Sequence, residues 1–226
     1  MSGSLTVLKI DKLREVFKKE KNFTLKENSN LDDYDLGYPE LGFPITDIKF
    51  VEKDPNYYHF DVKFFTDTKD KTIYVYGEGL EDYYHKYQEI EFFKFRLNTD
   101  FTKIYIFVSR KIAEPFQKRL EKMKYLDGTN IIFDFSRLEE LPNFVSGYGL
   151  WKNSQGIVKK AGEFGHGIES TINDFSVITT FYIDYMYNDR QVQLILNKEG
   201  RISTNTNLES EDLLNLYNEI ENTLAT

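Results

Sequence analysis

The sequence predicts an α+β fold, in which antiparallel sheets carry helices packed on one face. Segments between Phe50 and Val108 alternate apolar and polar residues with a period of two, which is typical of half-buried strands. Segments 110–125 and 211–224 instead repeat apolar residues every three or four positions, as amphipathic helices do. The links between the predicted strands are too short for parallel crossovers, so we expect antiparallel pairing.

The N-terminal region is expected to begin with a helix at 11–21, capped by Asp11. Its apolar residues fall on one helical face: Leu13, Val16 and Phe17. Residues 27–47 hold six acidic residues, no Lys or Arg, and several Gly and Pro residues, which predicts an acidic loop.

The clearest strand is 59–64, in which apolar and polar residues alternate strictly. Further strands are predicted at 72–76, 88–97 and 101–108, and Asn98-Thr99-Asp100 has the composition of a hairpin turn between the last two. The next element is the helix at 110–125, which is expected to carry Pro115 in its first turn.

The C-terminal half is predicted to contain a short strand at 130–135, an irregular or hairpin-like Gly-rich region at 139–167, and strands at 177–187 and 191–196. Ser210 is expected to cap the final helix. The apolar stripe of that helix should pack on the preceding sheet: Leu213, Tyr217, Ile220 and Leu224.

Segments 89–123 and 177–224 share the order strand, turn, strand, helix, although their sequence identity is negligible. This similarity favours two related subdomains, at 1–127 and 128–226, over a single sheet.

The composition excludes several classes of protein. Hydrophobic residues make up 40% and charged residues 29% of the 226 residues, which suits a folded core. The chain has no Cys, which excludes disulfides, thiolate zinc sites and a cysteine nucleophile. The net charge of −8 argues against nucleic acid as the main partner. Apolar runs are too short to span a membrane and no secretory signal is visible, so a cytoplasmic protein is expected.

The chain favours amino acids encoded by AT-rich codons over those encoded by GC-rich codons, which indicates the kind of genome that encodes it. The chain has three Ala residues, and 22 Lys residues against seven Arg residues. This skew is typical of a low-GC bacterium, its phage or a mobile element.

One group of residues suggests metal-dependent chemistry. Pro44-Ile45-Thr46-Asp47 and Asp61-Val62-Lys63 resemble, in degenerate form, the motif of PD-(D/E)xK nucleases. That resemblance implies carboxylates of Asp47 and Asp61 on Mg²⁺, with Lys63 polarising the attacking water or the phosphate. The competing interpretation is a solvated strand face with alternating charges, which the sequence favours.

The Gly-rich region offers a second candidate, a ligand-binding loop. Backbone amides of glycines together with lysines can hold phosphates. The residues concerned are Trp151, Lys152, Lys159, Lys160 and His166. No Walker A or dinucleotide fingerprint is completed, so a bent hairpin with a structural role is the favoured interpretation.

The three histidines show no metal-ligand spacing, and no Ser elbow motif is present. We therefore expect a non-enzymatic acidic protein that binds a protein partner and needs no cofactor, such as an accessory or inhibitory factor of a phage or mobile element. The alternative is a Mg²⁺-dependent nuclease, which would also bind nucleic acid. The oligomeric state is left open.

Overall fold

The computed structural model describes residues 3–26, 45–65, 69–75, 81–87, 89–152, 155, 157–165, 172 and 174–225. The described strands are β1 Gly3–Leu13, β2 Phe23–Lys26, β3 Ile45–Lys53, β4 Tyr57–Phe65, β5 Lys69–Val75, β6 Glu81–Tyr87, β7 Ile90–Asn98, β8 Lys103–Phe107, β9 Leu126–Asn130, β10 Phe144–Lys152, β11 Val158–Gly165, β12 Thr180–Tyr187, β13 Arg190–Asn197 and β14 Arg201–Thr204. The α-helices among the described residues are α1 Arg110–Lys122 and α2 Ser210–Leu224. Short 3-10 turns occupy Glu15–Lys18, Phe135–Glu140 and Phe175–Val177.

One antiparallel sheet dominates the fold. Twelve strands belong to it, in the order β11-β10-β12-β13-β14-β1-β8-β7-β4-β3-β2, with β9 also paired to β1; β5 and β6 form a separate hairpin. The N-terminal strand β1 pairs with β14 on one side and with β8 on the other, so it joins the two halves of the chain. The predicted α+β fold with helices packed on one face is therefore wrong, because strands outnumber the two short α-helices and form one continuous sheet.

The two α-helices lie on opposite faces of this sheet. Val7 pairs with Tyr105, and both belong to the apolar core that α2 covers. The next pair along the strands is Leu8 with Ile104, which belong to the core that α1 covers. Because successive residues of a strand point to opposite faces, we call these the α2 face and the α1 face.

The predicted helix at 11–21 is also wrong. Residues up to Leu13 continue β1 and pair with β9, and only the short turn Glu15–Lys18 follows. The apolar spacing nevertheless has a structural cause, since Phe17 is fully buried against Phe23 and Phe60. Of the predicted acidic loop, residues 27–44 lie outside the described residues and 45–47 begin β3.

Several local predictions are confirmed within one or two residues. The alternating segment 59–64 lies in β4 with alternating burial, and the Gly-rich region contains the hairpin of β10 and β11. The predicted strand at 130–135 is wrong, since β9 ends at Asn130. Pro115 lies inside α1 and not in its first turn, and Glu209, not Ser210, occupies the N-cap position of α2. Strand β14 was not predicted.

The apolar stripe of α2 packs on the sheet as predicted. Its buried residues share one core with Phe181, Ile183 and Leu194 of β12 and β13. Among the described helices, none is long and apolar enough to cross a membrane. The division into subdomains at 1–127 and 128–226 stays a prediction.

Candidate binding surface

A pair of tyrosines stands on a part of the α1 face that no described element covers. Tyr148 of β10 and Tyr182 of β12 are directly opposite each other in the sheet. Their rings are parallel, with an interplanar angle of 2° and centroids 5.0 Å apart. Both side chains are partly exposed, because α1 covers this face only nearer to β1. We call the exposed area around them the Tyr148–Tyr182 surface, with Ser146, Asp184 and Gln193 as its other members.

A row of polar side chains runs beside the tyrosines. Ser146, Asp184 and Gln193 are consecutive cross-strand neighbours on β10, β12 and β13. The hydroxyl of Ser146 donates to Oδ2 of Asp184 over 3.3 Å, which is a weak bond. The Asp184 carboxylate therefore keeps most of its acceptor capacity for a group that approaches from outside.

A β-bulge shapes the outer edge of this surface. The pairing register of β10 and β11 shifts between Gly149 and Leu150, so that β11 carries one extra residue. As a result Lys160 and Glu163, three positions apart, both flank Tyr148. Nζ of Lys160 lies 5.2 Å from the Tyr148 ring centroid, and Glu163 is the direct cross-strand neighbour of Tyr148 and forms an ion pair with Lys160.

The glycines of this region permit close packing within the sheet. A Cβ atom on Gly147 would lie 2.5 Å from the backbone oxygen of Tyr182. On Gly149 it would lie 2.5 Å from Cδ1 of Ile178. Both distances are far below van der Waals contact, so these two glycines are explained by packing on the α2 face.

The residues of the predicted ligand-binding loop lie in or near a hairpin. Nζ of Lys159 is 5.9 Å from the Trp151 ring centroid, so these two residues pair on the edge of the sheet. Lys152 is the last residue of β10, and His166 lies outside the described residues. Of the predicted residues whose side chains the structure describes, only Lys160 borders the Tyr148–Tyr182 surface.

The residues of the predicted nuclease site lie together on the α2 face, on β3 and β4. Asp47 is directly opposite Lys63, and Asp61 is directly opposite Lys49. Oδ1 of Asp47 accepts a hydrogen bond of 2.9 Å from the hydroxyl of Thr24. Across the described ranges, no three His, Asp or Glu side chains are grouped closely enough to hold a metal ion. The nuclease alternative stays a prediction.

His59 forms a dyad with Asp54 on the same face. Nε2 of His59 lies 2.6 Å from Oδ2 of Asp54, and Oδ1 of Asp54 accepts from the backbone N–H groups of Asn56 and Tyr57. Partial burial tends to raise the pKa of Asp54, but the hydrogen bonds from His59 and the backbone outweigh it, so the pKa is lowered. The dyad closes the turn between β3 and β4.

A cleft of about 1010 Å³ lies where the N-termini of both α-helices approach the ends of β1 and β14. Its wall combines apolar residues such as Ile112 and Leu208 with Lys111, Ser203 and Asn205. The volume is that of a small-molecule pocket. The carboxylates of Glu89, just before β7, and of Glu91 in β7 also border the cleft, so its charge favours no single class of ligand.

No protein-family model matches this sequence, and no curated protein matches it. The surface therefore has to be interpreted from its own residues. Sequence reasoning missed Tyr182 and Asp184. The signal was present, since both alternate with the buried residues Phe181 and Ile183, but the sequence does not show which strand face stays uncovered.

Proposed function

We propose that this chain is a non-enzymatic binding protein that engages a protein partner through the Tyr148–Tyr182 surface. The supporting observation is the parallel tyrosine pair, which lies on neighbouring strands and is partly exposed. Tyrosine is enriched at the centres of protein interfaces because its ring offers apolar area and its hydroxyl a hydrogen bond. Within this proposal the protein acts in the bacterial cytoplasm as an accessory or inhibitory factor of a phage or mobile element.

The charge of the region indicates which partners fit. Asp184 lies beside the tyrosines, and the Lys160 and Glu163 side chains at the outer edge form an ion pair with each other. A partner with basic groups around an apolar contact would be complementary, and its association should weaken as salt is added.

The test places a photo-crosslinking residue at Gln193 and identifies proteins captured from a low-GC bacterial lysate at low salt. The Tyr148→Ser/Tyr182→Ser variant should lose capture, and its affinity for the purified partner should fall about 30-fold or more, as for an interface hot spot. Phe92→Ser is the matched control, because Phe92 is 72% exposed on the α2 face and should leave binding unchanged. Failure to capture any protein, or equal capture by the tyrosine variant, would contradict the proposal.

A further inference from the structure

We propose that a second copy of this chain pairs with the outer edge of β11, so that two sheets join across a two-fold axis. Strand β11 is the last strand of the sheet, and within the described part of the chain it pairs only with β10. An edge strand presents a row of backbone N–H and C=O groups to a further strand. Near its beginning, Ile157 is 52% and Val158 is 60% exposed, so apolar side chains border this edge.

Charge selects the register of this pairing. In a two-fold antiparallel pair, residue i faces residue j of the second copy, and residue j faces residue i. Setting Lys160 opposite Glu163 therefore creates two identical ion pairs across the axis. Directly opposite residues must share a sheet face, and the β-bulge brings Lys160 and Glu163 to the same face although they are three residues apart.

The same register suits the neighbouring positions. Lys159 lies opposite Phe164 of the second copy, and Val158 lies opposite Gly165. The exposed Val158 side chain thus meets a residue without a side chain, and no like charges face each other. Lysines on a sheet edge ordinarily repel a second strand. Here Glu163 at the matching position makes the edge complementary to itself.

This pairing would also enlarge the proposed binding surface. Both copies present the α1 face on the same side of the joined sheet, because the two-fold axis is perpendicular to it. The Tyr148–Tyr182 surfaces of two copies then lie next to each other, separated by the two β11 strands. The pairing does not depend on the proposed function, since it rests on β11 alone.

The test is sedimentation equilibrium of the full chain over about 1–500 µM, the range expected of a small transient interface. The apparent mass should rise from that of a monomer to that of a dimer as the protein concentration increases. Added salt should raise the protein concentration at which the dimer forms, because salt screens the ion pairs. A chain that stays at monomer mass throughout would overturn the proposal.

Two charge reversals make the test specific. Lys160→Glu and Glu163→Lys should each stay monomeric, since like charges then face each other across the axis. An equimolar mixture of these two variants should regain the doubled mass, because every pair across the axis then joins a carboxylate to an ammonium group. The ion pair within one chain cannot explain that rescue. A mixture that stays monomeric would overturn the proposed register.

A matched control separates this effect from a general change of charge. Arg137 and Glu140 form an exposed ion pair with the same spacing, remote in sequence from β11. Arg137→Glu should dimerise like the unmodified chain. Circular dichroism melting of all variants should give equal midpoints, which verifies that the monomers are folded. If Arg137→Glu abolished dimerisation as completely as Lys160→Glu, the assignment to β11 would be wrong.

Discussion

Nη1 of Arg201 on β14 lies 2.9 Å from Oε1 of Glu114 on α1. The contact is an ion pair without hydrogen-bond alignment, and Arg201 is almost fully buried. Arg110 donates to the same carboxylate oxygen over 2.7 Å, and Glu199 lies 3.1 Å from Arg201. This group of charges joins the helix of the N-terminal half to a strand of the C-terminal half.

Glu114→Gln should destabilise the fold by about 1–3 kcal/mol, because a buried guanidinium loses one of its two anionic partners. Urea unfolding measures the effect as a lower midpoint. Glu15→Gln is the control, since Glu15 is exposed and its ion pair with Lys18 should contribute about 0–1 kcal/mol. Equal midpoints for the two variants would show that the Arg201 contact adds nothing to stability.

Acid should weaken the turn that Asp54 closes. The pKa of Asp54 is lowered in the folded chain from its ordinary value of 3.8. Its stabilising contribution is therefore complete above that value and is lost as the pH falls through the folded pKa. The difference in unfolding free energy between the unmodified chain and Asp54→Asn should therefore shrink as the pH falls below 3.8. A difference that does not change with pH would contradict this origin of the stability.

Lys124→Gly should stabilise the protein by about 0.5–1 kcal/mol. Lys124 follows the C-cap of α1 with a φ of 57°, a left-handed conformation that costs energy for residues with a Cβ atom. The N–H groups of Lys124 and Tyr125 donate to the carbonyls of Glu121 and Leu120, which is the Schellman pattern that favours glycine.

Thermal melting checks this prediction. Lys118→Gly, at an exposed position inside α1, should lower the midpoint, because glycine there increases the flexibility of the unfolded chain. If both variants lowered the midpoint, the strain at Lys124 would be negligible.

Gly147→Ala should destabilise the fold by about 1–3 kcal/mol, because its new methyl group would meet backbone that cannot move aside freely. The same variant should weaken partner binding, since it would displace the strand that carries Tyr182. Gly3→Ala is the comparison, because a Cβ atom there would lie 3.3 Å from a side-chain atom, Cδ2 of Leu213, and not against backbone. A smaller loss of melting temperature for Gly147→Ala than for Gly3→Ala would refute the packing argument.

The sequence by itself determined the local elements whose signal is contained in a few adjacent residues. The alternation of apolar and polar residues predicted β4, and the spacing of apolar residues predicted α1 and α2, because side-chain direction repeats every 2.0 residues in a strand and every 3.6 in a helix. The composition of Asn98-Thr99-Asp100 predicted a turn. The same local signal failed at Leu13 and Phe17, where the end of a strand and a single turn bury the residues that a helix would have buried.

Only the tertiary structure decided how these elements combine. The pairing of β1 with strands from both halves joins residues almost 200 positions apart, and no local pattern encodes it. That pairing joins the strands into one sheet with the two helices on opposite faces. Tyr148 on β10 and Tyr182 on β12 then lie on a part of the sheet that neither helix covers. The orientation of Lys160 and Glu163 likewise depends on one extra residue in β11, which arises only when β10 is paired beside it. The exposure of the Tyr148–Tyr182 surface and the arrangement of the β11 edge therefore depend on long-range strand pairing. The sequence of a strand shows that its two faces differ, but it does not show what will cover each face.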